Sequence, residues 1–156
     1  MALLDLGYIL SAVIEIILPI ILAIIIWKKF KVSWAIFFLG LILFIASLIR
    51  IPLNNYISVL LKTPLKGELY ITIIGIIAGF SVGIFEEGVK CIAFGAVIRP
   101  RDYYKGIMYG IGHGGGESMI FVGFSVLANY IVYKFFQIFY LQILYRNLRA
   151  QHGGYH

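Results

Sequence analysis

Charge is scarce in this sequence and cysteine is nearly absent. Asp, Glu, Lys and Arg make up 13% of its 156 residues, and 62% are hydrophobic. Soluble domains run at about 45–50% apolar. The balance here excludes a water-soluble globular chain and leaves an integral membrane protein of one domain. The lone cysteine, Cys91, excludes a disulfide framework and reads as a small packing residue in an apolar run. Only three histidines are present, and His152 and His156 lie among the last residues, where no role is expected of them. That leaves His113 as the one imidazole in an apolar run. No Lys or Arg precedes the first apolar run, which is also too long for a signal-peptide core, so it reads as a retained span. The net charge of +6 does not point to nucleic acid. The basic residues sit mostly at the ends of apolar runs, where lipid headgroups attract them.

What is present is a set of four apolar runs. Residues 6–27 form the first span, interrupted by Glu15 and Pro19, and residues 34–49 form the second, stopping at Arg50. Residues 69–98 and 104–133 form the third and fourth. A helix rises about 1.5 Å per residue and the hydrocarbon core is about 30 Å thick. The third run is therefore longer than a perpendicular crossing needs and must tilt, kink or project. Residues 51–68 read as a connector with an interfacial apolar patch at 56–61, and Arg50, Asn54 and Asn55 read as a span terminus. The tail 134–149 mixes five aromatic residues with Arg146 and Arg149, the composition of a headgroup-level helix or of a contact with another subunit. The expected fold is all-α: a membrane helical bundle of about four transmembrane helices plus an interfacial C-terminal helix. Compact basic clusters in the first and third connections favour an outside N-terminus. The expected location is the plasma (cell) membrane.

Against this apolar background the polar residues are conspicuous. Glu15, Glu86, Glu87, Glu117, Lys90 and His113 all fall inside the apolar runs. An ionisable side chain at bilayer depth costs at least about 2.5–3.5 kcal/mol, so such groups are normally paired or functional. Glu87 and Lys90 are three apart, and Glu86 and Lys90 four apart, so both pairs share a helix face; His113 and Glu117 share one likewise. Glu87 precedes Pro100 by thirteen residues and His113 follows it by thirteen. If the third and fourth spans are antiparallel neighbours across that turn, the two runs meet about 20 Å along their helices. Gly75, Gly79 and Gly83 repeat every four residues toward Glu87, a spacing that admits another helix backbone. Gly114, Gly115 and Gly116 flank His113, at a cost of roughly 1 kcal/mol each in a helix. They suit close helix contact, a kink, or room for a substrate backbone.

Three chemistries fit these residues. A glutamate can act as general base toward a water that the histidine also holds, and adjacent carboxylates take different roles because both ionise together only reluctantly. Alternatively His113, Glu117 and one of Glu86 and Glu87, Glu87 in the first instance, ligate a divalent metal such as zinc, in a site richer in oxygen than most zinc sites. Or the groups form a paired network, or an ion pathway, without bond-making chemistry. Glu15 is a separate case: it either reaches this centre from the first span or snorkels.

The motifs Phe85-Glu86-Glu87-Gly88-Val89-Lys90 and Gly112-His113-Gly114-Gly115-Gly116-Glu117 resemble those of the YhfC family of intramembrane metalloproteases. Gly40, Phe44 and Arg50-Ile51-Pro52-Leu53 resemble its preceding span, so the likeness covers roughly residues 34–125. More distantly the chain is similar to CAAX-protease, bacteriocin-processing and PrsW-like membrane peptidases. The resemblance implies Glu86 and Glu87 as base and water-orienting carboxylates, His113 as water or metal partner, and Glu117 as second ligand or orienter. Lys90 stands where the family often has arginine, keeping the charge without the two-pronged fork; Lys90, Gly114 and Gly115 are expected in supporting roles. Family members are typically longer, so by this comparison the chain reads as shortened at its C-terminal end, with enclosing helices to come from an oligomer or partner. The expected function is intramembrane hydrolysis of a peptide bond in a membrane-peptide substrate. The alternative is a non-catalytic accessory subunit that retains a peptidase-like core within a larger membrane complex.

Overall fold

The computed structural model describes the backbone of residues 2–152 and the side chains of residues 3–146. The side chains of Arg149, His152 and His156 lie outside the described residues. Every element is helical. Helix α1 spans Ala2–Phe30, α2 Trp34–Ser47, α3 Arg50–Leu61 and α4 Gly67–Ile92, which widens into a π-helical turn at Ala93–Val97. Helix α5 spans Tyr103–Glu117, a second π-helical turn covers Ser118–Gly123, and α6 runs over Phe124–His152. Four stretches are long and apolar enough to cross a membrane: Leu3–Phe30, Trp34–Leu61, Gly67–Val97 and Tyr103–Arg146. Leu10, Ile17, Ile25, Ile84 and Ile131, among many others, turn outward. Lipid is as apolar as these side chains, so their exposure is the ordinary state of a membrane bundle, and pairing within the helices satisfies the backbone groups that lipid cannot.

Local chemistry sets the ends of the helices. Lys31 takes a left-handed φ of 56° and closes the last turn of α1 by donating to Trp27 O at 2.9 Å. The Ser33 hydroxyl accepts from Ala35 N at 3.2 Å and caps α2. The Asp102 carboxylate accepts from Lys105 N at 2.9 Å and caps α5. That backbone bond holds its carboxyl below the ordinary range.

Packing centres on α2 and α5. A methyl group added to Gly112 would overlap the Phe37 carbonyl of α2, and one added to Gly40 would overlap the Tyr109 carbonyl of α5. The two backbones therefore touch, which only glycine permits. Around this seam Phe37 and Met108 are buried with Ala23 of α1, while Tyr109 is buried with Ala93 and Ile98 from the end of the third span. Helix α1 covers the other side of α5, with Pro19 against Gly115 and Ile16 against Gly123. Its N-terminal end is tied to α6 by Lys134 Nζ donating to Asp5 Oδ2 at 2.7 Å, beneath stacked Tyr8 and Tyr133.

Two expectations are corrected, and a third stretch is longer than its run suggested. The third and fourth spans are not packed along their length: α2 lies against both, and α4 makes no comparable contact with α5. The short turn brings them together only near its own end, where the Phe94 and Tyr109 rings meet at 5.1 Å. Next, most of the supposed connector is helix α3. Pro52 is tolerated there because it sits in the first turn, where a backbone N–H would have no intrahelical partner. Helix α3 lies on α4, with Asn54 Nδ2 donating to Ser81 Oγ at 2.6 Å and a Ser58–Tyr70 hydroxyl pair at 2.7 Å. Finally, residues 134–149 continue α6 without interruption. The helical stretch Tyr103–Arg146 holds 44 residues. At about 1.5 Å per residue it far exceeds the hydrocarbon thickness.

Candidate active site

Consecutive helix residues point about 100° apart, so Glu86 and Glu87 face different partners. Glu87 accepts from Lys90 Nζ at 2.7 Å on the outer side of α4, its side chain 68% exposed. Glu86 points inward and accepts from Arg50 Nη2 at 3.3 Å, its side chain 23% exposed. Of the two spacings open to Lys90, the structure uses the three-residue one.

His113 is 6% exposed. Its ring lies edge-on to Phe44 of α2 at 5.5 Å and parallel to Tyr109 of its own helix at 5.9 Å. Neither ring nitrogen has a hydrogen-bond partner among the described residues, nor does the buried Tyr109 hydroxyl. Glu117 follows one turn along α5 and is exposed. The predicted carboxylates do not close on this imidazole: Glu86 is engaged by Arg50 and Glu87 by Lys90.

Glu15 joins from the first span. Its carboxylate accepts a short hydrogen bond from the Ser118 hydroxyl, which also lies 3.2 Å from the Glu15 carbonyl oxygen. Ser118 begins the π-helical turn directly after Glu117, so this bond ties α1 to that turn. Glu15, Pro19, Gly114, Gly115 and Ser118 line an open cleft of about 230 Å³. Gly115 is therefore a packing residue against Pro19, and Gly114 faces the cleft.

Arg50 and Asn54 are the site residues that sequence reasoning passed over. One signal pointed to Arg50. Two adjacent carboxylates with one lysine leave an acid unpaired at bilayer depth, and Arg50 is the cation at the end of the preceding span.

The metal reading was tested against the donors. Two free imidazole nitrogens suit a ligand, yet among the described residues no three His, Cys, Asp or Glu side chains stand together closely enough to hold an ion. Glu87 is turned outward to Lys90, and Glu86 is held by Arg50. In this arrangement His113, Glu117 and Glu87 do not fit a metal centre.

The chain matches no curated protein and no solved structure. The family model of the YhfC intramembrane metalloproteases matches residues 14–143, a longer stretch than the motif-bearing 34–125. An all-helical chain of four candidate spans, with a carboxylate pair and a buried histidine in the matched stretch, belongs to the YhfC intramembrane metalloprotease family.

Proposed function

We propose that this chain hydrolyses a peptide bond of a membrane-embedded substrate, using a water activated between Glu86 and His113. The observation that carries this reading is the buried His113 imidazole, neither of whose nitrogens has a partner among the described residues. Structural histidines in a dry interior normally satisfy at least one nitrogen, because an unpaired buried polar group costs about 1–3 kcal/mol. Glu86 is the inward carboxylate and the natural base. It takes a proton from water, and the water oxygen bonds to the carbonyl carbon. The proton then passes to the leaving nitrogen as the C–N bond breaks, yielding a carboxylic acid and an amine. His113 holds the water by one nitrogen. Glu117 adds negative charge beside the ring, and Glu87 with Lys90 forms a pair of no net charge at the mouth of the site.

The test uses purified protein in liposomes with a fluorogenic transmembrane peptide. Glu86→Gln and His113→Ala are expected to lose cleavage by at least about 100-fold, in the range of general base removal, while still inserting. Wild-type rates in both variants would reject the mechanism. Stoichiometric metal in the wild type that disappears with His113→Ala would replace it with a metal-held water. The open outer face of α4 supports the second reading, an accessory subunit with a peptidase-like core. An inert wild-type protein that co-purifies in fixed ratio with larger membrane subunits would favour it.

A further inference from the structure

Hydrolysis also requires a donor for the carbonyl oxygen as it gains negative charge, and the residues discussed so far supply none. We propose that Arg50 is this donor, a catalytic residue whose Nε–H takes the scissile carbonyl oxygen while its Nη2–H holds Glu86. The proposal rests on the peptidase reading and adds to it a group from a different helix.

The α-helix is interrupted just before Arg50. Leu48 N bonds to Ile45 O at 3.1 Å, and Ile49 N to Ala46 O at 3.3 Å, a 3₁₀ stretch between α2 and α3. Such residues advance about 120° each instead of about 100°. This turns α3 out of the register of α2 and sets Arg50 toward α4. One turn further along, Asn54 bonds Ser81, which in turn bonds Ala78 O at 2.9 Å, so α3 is pinned to α4 and the guanidinium is held in place.

The guanidinium is half used. Its Nε–H and one Nη2–H lie parallel on a single edge, the edge that normally grips a carboxylate by both prongs. Here Nη2 reaches Glu86 Oε1 at 3.3 Å, while Nε is buried and has no partner among the described residues. An oxygen accepting from Nε would sit directly beside the Glu86 carboxylate, where the attacking water must be. Asn54 Oδ1 is also buried without a partner. One buried donor and one buried acceptor on the same helix match the C=O and N–H that a transmembrane substrate exposes when it unwinds. The substrate class is therefore a locally unwound membrane helix. During attack the carbonyl electron pair moves onto the oxygen held by Arg50, and it returns as the C–N bond breaks.

Removing one such donor typically lowers kcat by about 100–1,000-fold. Arg50→Lys keeps the charge beside Glu86 but loses the parallel prongs. Its kcat is expected to fall by about that factor with KM nearly unchanged. Its affinity for a phosphinic peptide, whose tetrahedral P–O⁻ copies the intermediate, should fall in parallel. A residue that merely positions Glu86 would lower kcat and leave phosphinic affinity intact, and that result overturns the proposal, as does a wild-type kcat in Arg50→Lys. To guard against misfolding, the Glu86→Gln/Arg50→Gln pair, which leaves no unpaired charge, is compared with Glu86→Gln alone for phosphinic binding. Equal affinity in the two overturns the proposal. Loss of cleavage in Glu86→Gln with full activity in Arg50→Lys rejects Arg50 but keeps the peptidase reading. A wild-type chain that neither cleaves nor binds the phosphinic peptide rejects both.

Discussion

Two sets of glycines stand on opposite sides of α2. Gly40 and Gly112 bring α2 and α5 into backbone contact, leaving no space for even a methyl group. Gly75, Gly79 and Gly83 of α4 show the more regular spacing, yet a side chain added at any of them would meet nothing within 4 Å. Regular small-residue spacing creates the possibility of close approach. Only a facing helix with a matching gap converts it into contact, and α5 found that gap on α2. The histidine therefore sits on the packed side of the molecule, while the Glu87–Lys90 pair sits on the open side.

The comparison breaks most severely at Gly112. Gly112→Ala places a methyl against the Phe37 backbone, which has no rotamer to yield. A loss of about 3 kcal/mol or more is expected, the upper end of overpacking, read by reversible unfolding in SDS–detergent mixtures. Gly115→Ala meets the Pro19 ring at 2.6 Å. Helix α1 can shift slightly, so about 1–2 kcal/mol should be lost. Gly79→Ala should reverse the sign, gaining about 0.5–1 kcal/mol because helical alanine costs less entropy and nothing obstructs it. A loss at Gly79 equal to that at Gly112 would show that α4 is packed after all.

The smallest effect is expected at the helix end. Asp102 caps α5, with its carboxyl held low by the Lys105 amide and ammonium. A lowered carboxyl stabilises the fold fully above the ordinary carboxylate range near pH 4, and that contribution disappears only as pH falls through the depressed native value. Asp102→Ala should therefore lower the unfolding temperature slightly at pH 7, with the difference from wild type vanishing in strong acid. A difference that persists below pH 2 would remove the carboxylate from the explanation.

The four long apolar stretches were legible from hydropathy. Glu87 and His113 lie equally far from the Pro100 turn in sequence, yet Glu87 pairs with Lys90 on the outer side of α4 while His113 is buried against α2. The neighbour of α5 was not legible. A short turn forces proximity at Phe94 and Tyr109 but leaves the remaining helix length free to follow whichever partner fits best. Arg50 looked like a span terminus because it ends an apolar run, whereas α3 begins there with Pro52 tolerated in its first turn. Glu15 could be placed only by its bond to Ser118, 103 residues away.

The sequence by itself determined an all-helical chain and its four long apolar stretches. Those follow from hydropathy and a fixed rise per residue, both local quantities. Tertiary structure decided which helices touch, which carboxylate turns inward and which arginine meets it. Lipid solvates every apolar face about equally, so these choices depend on the shape of backbone gaps and on a few polar bonds that no local pattern encodes.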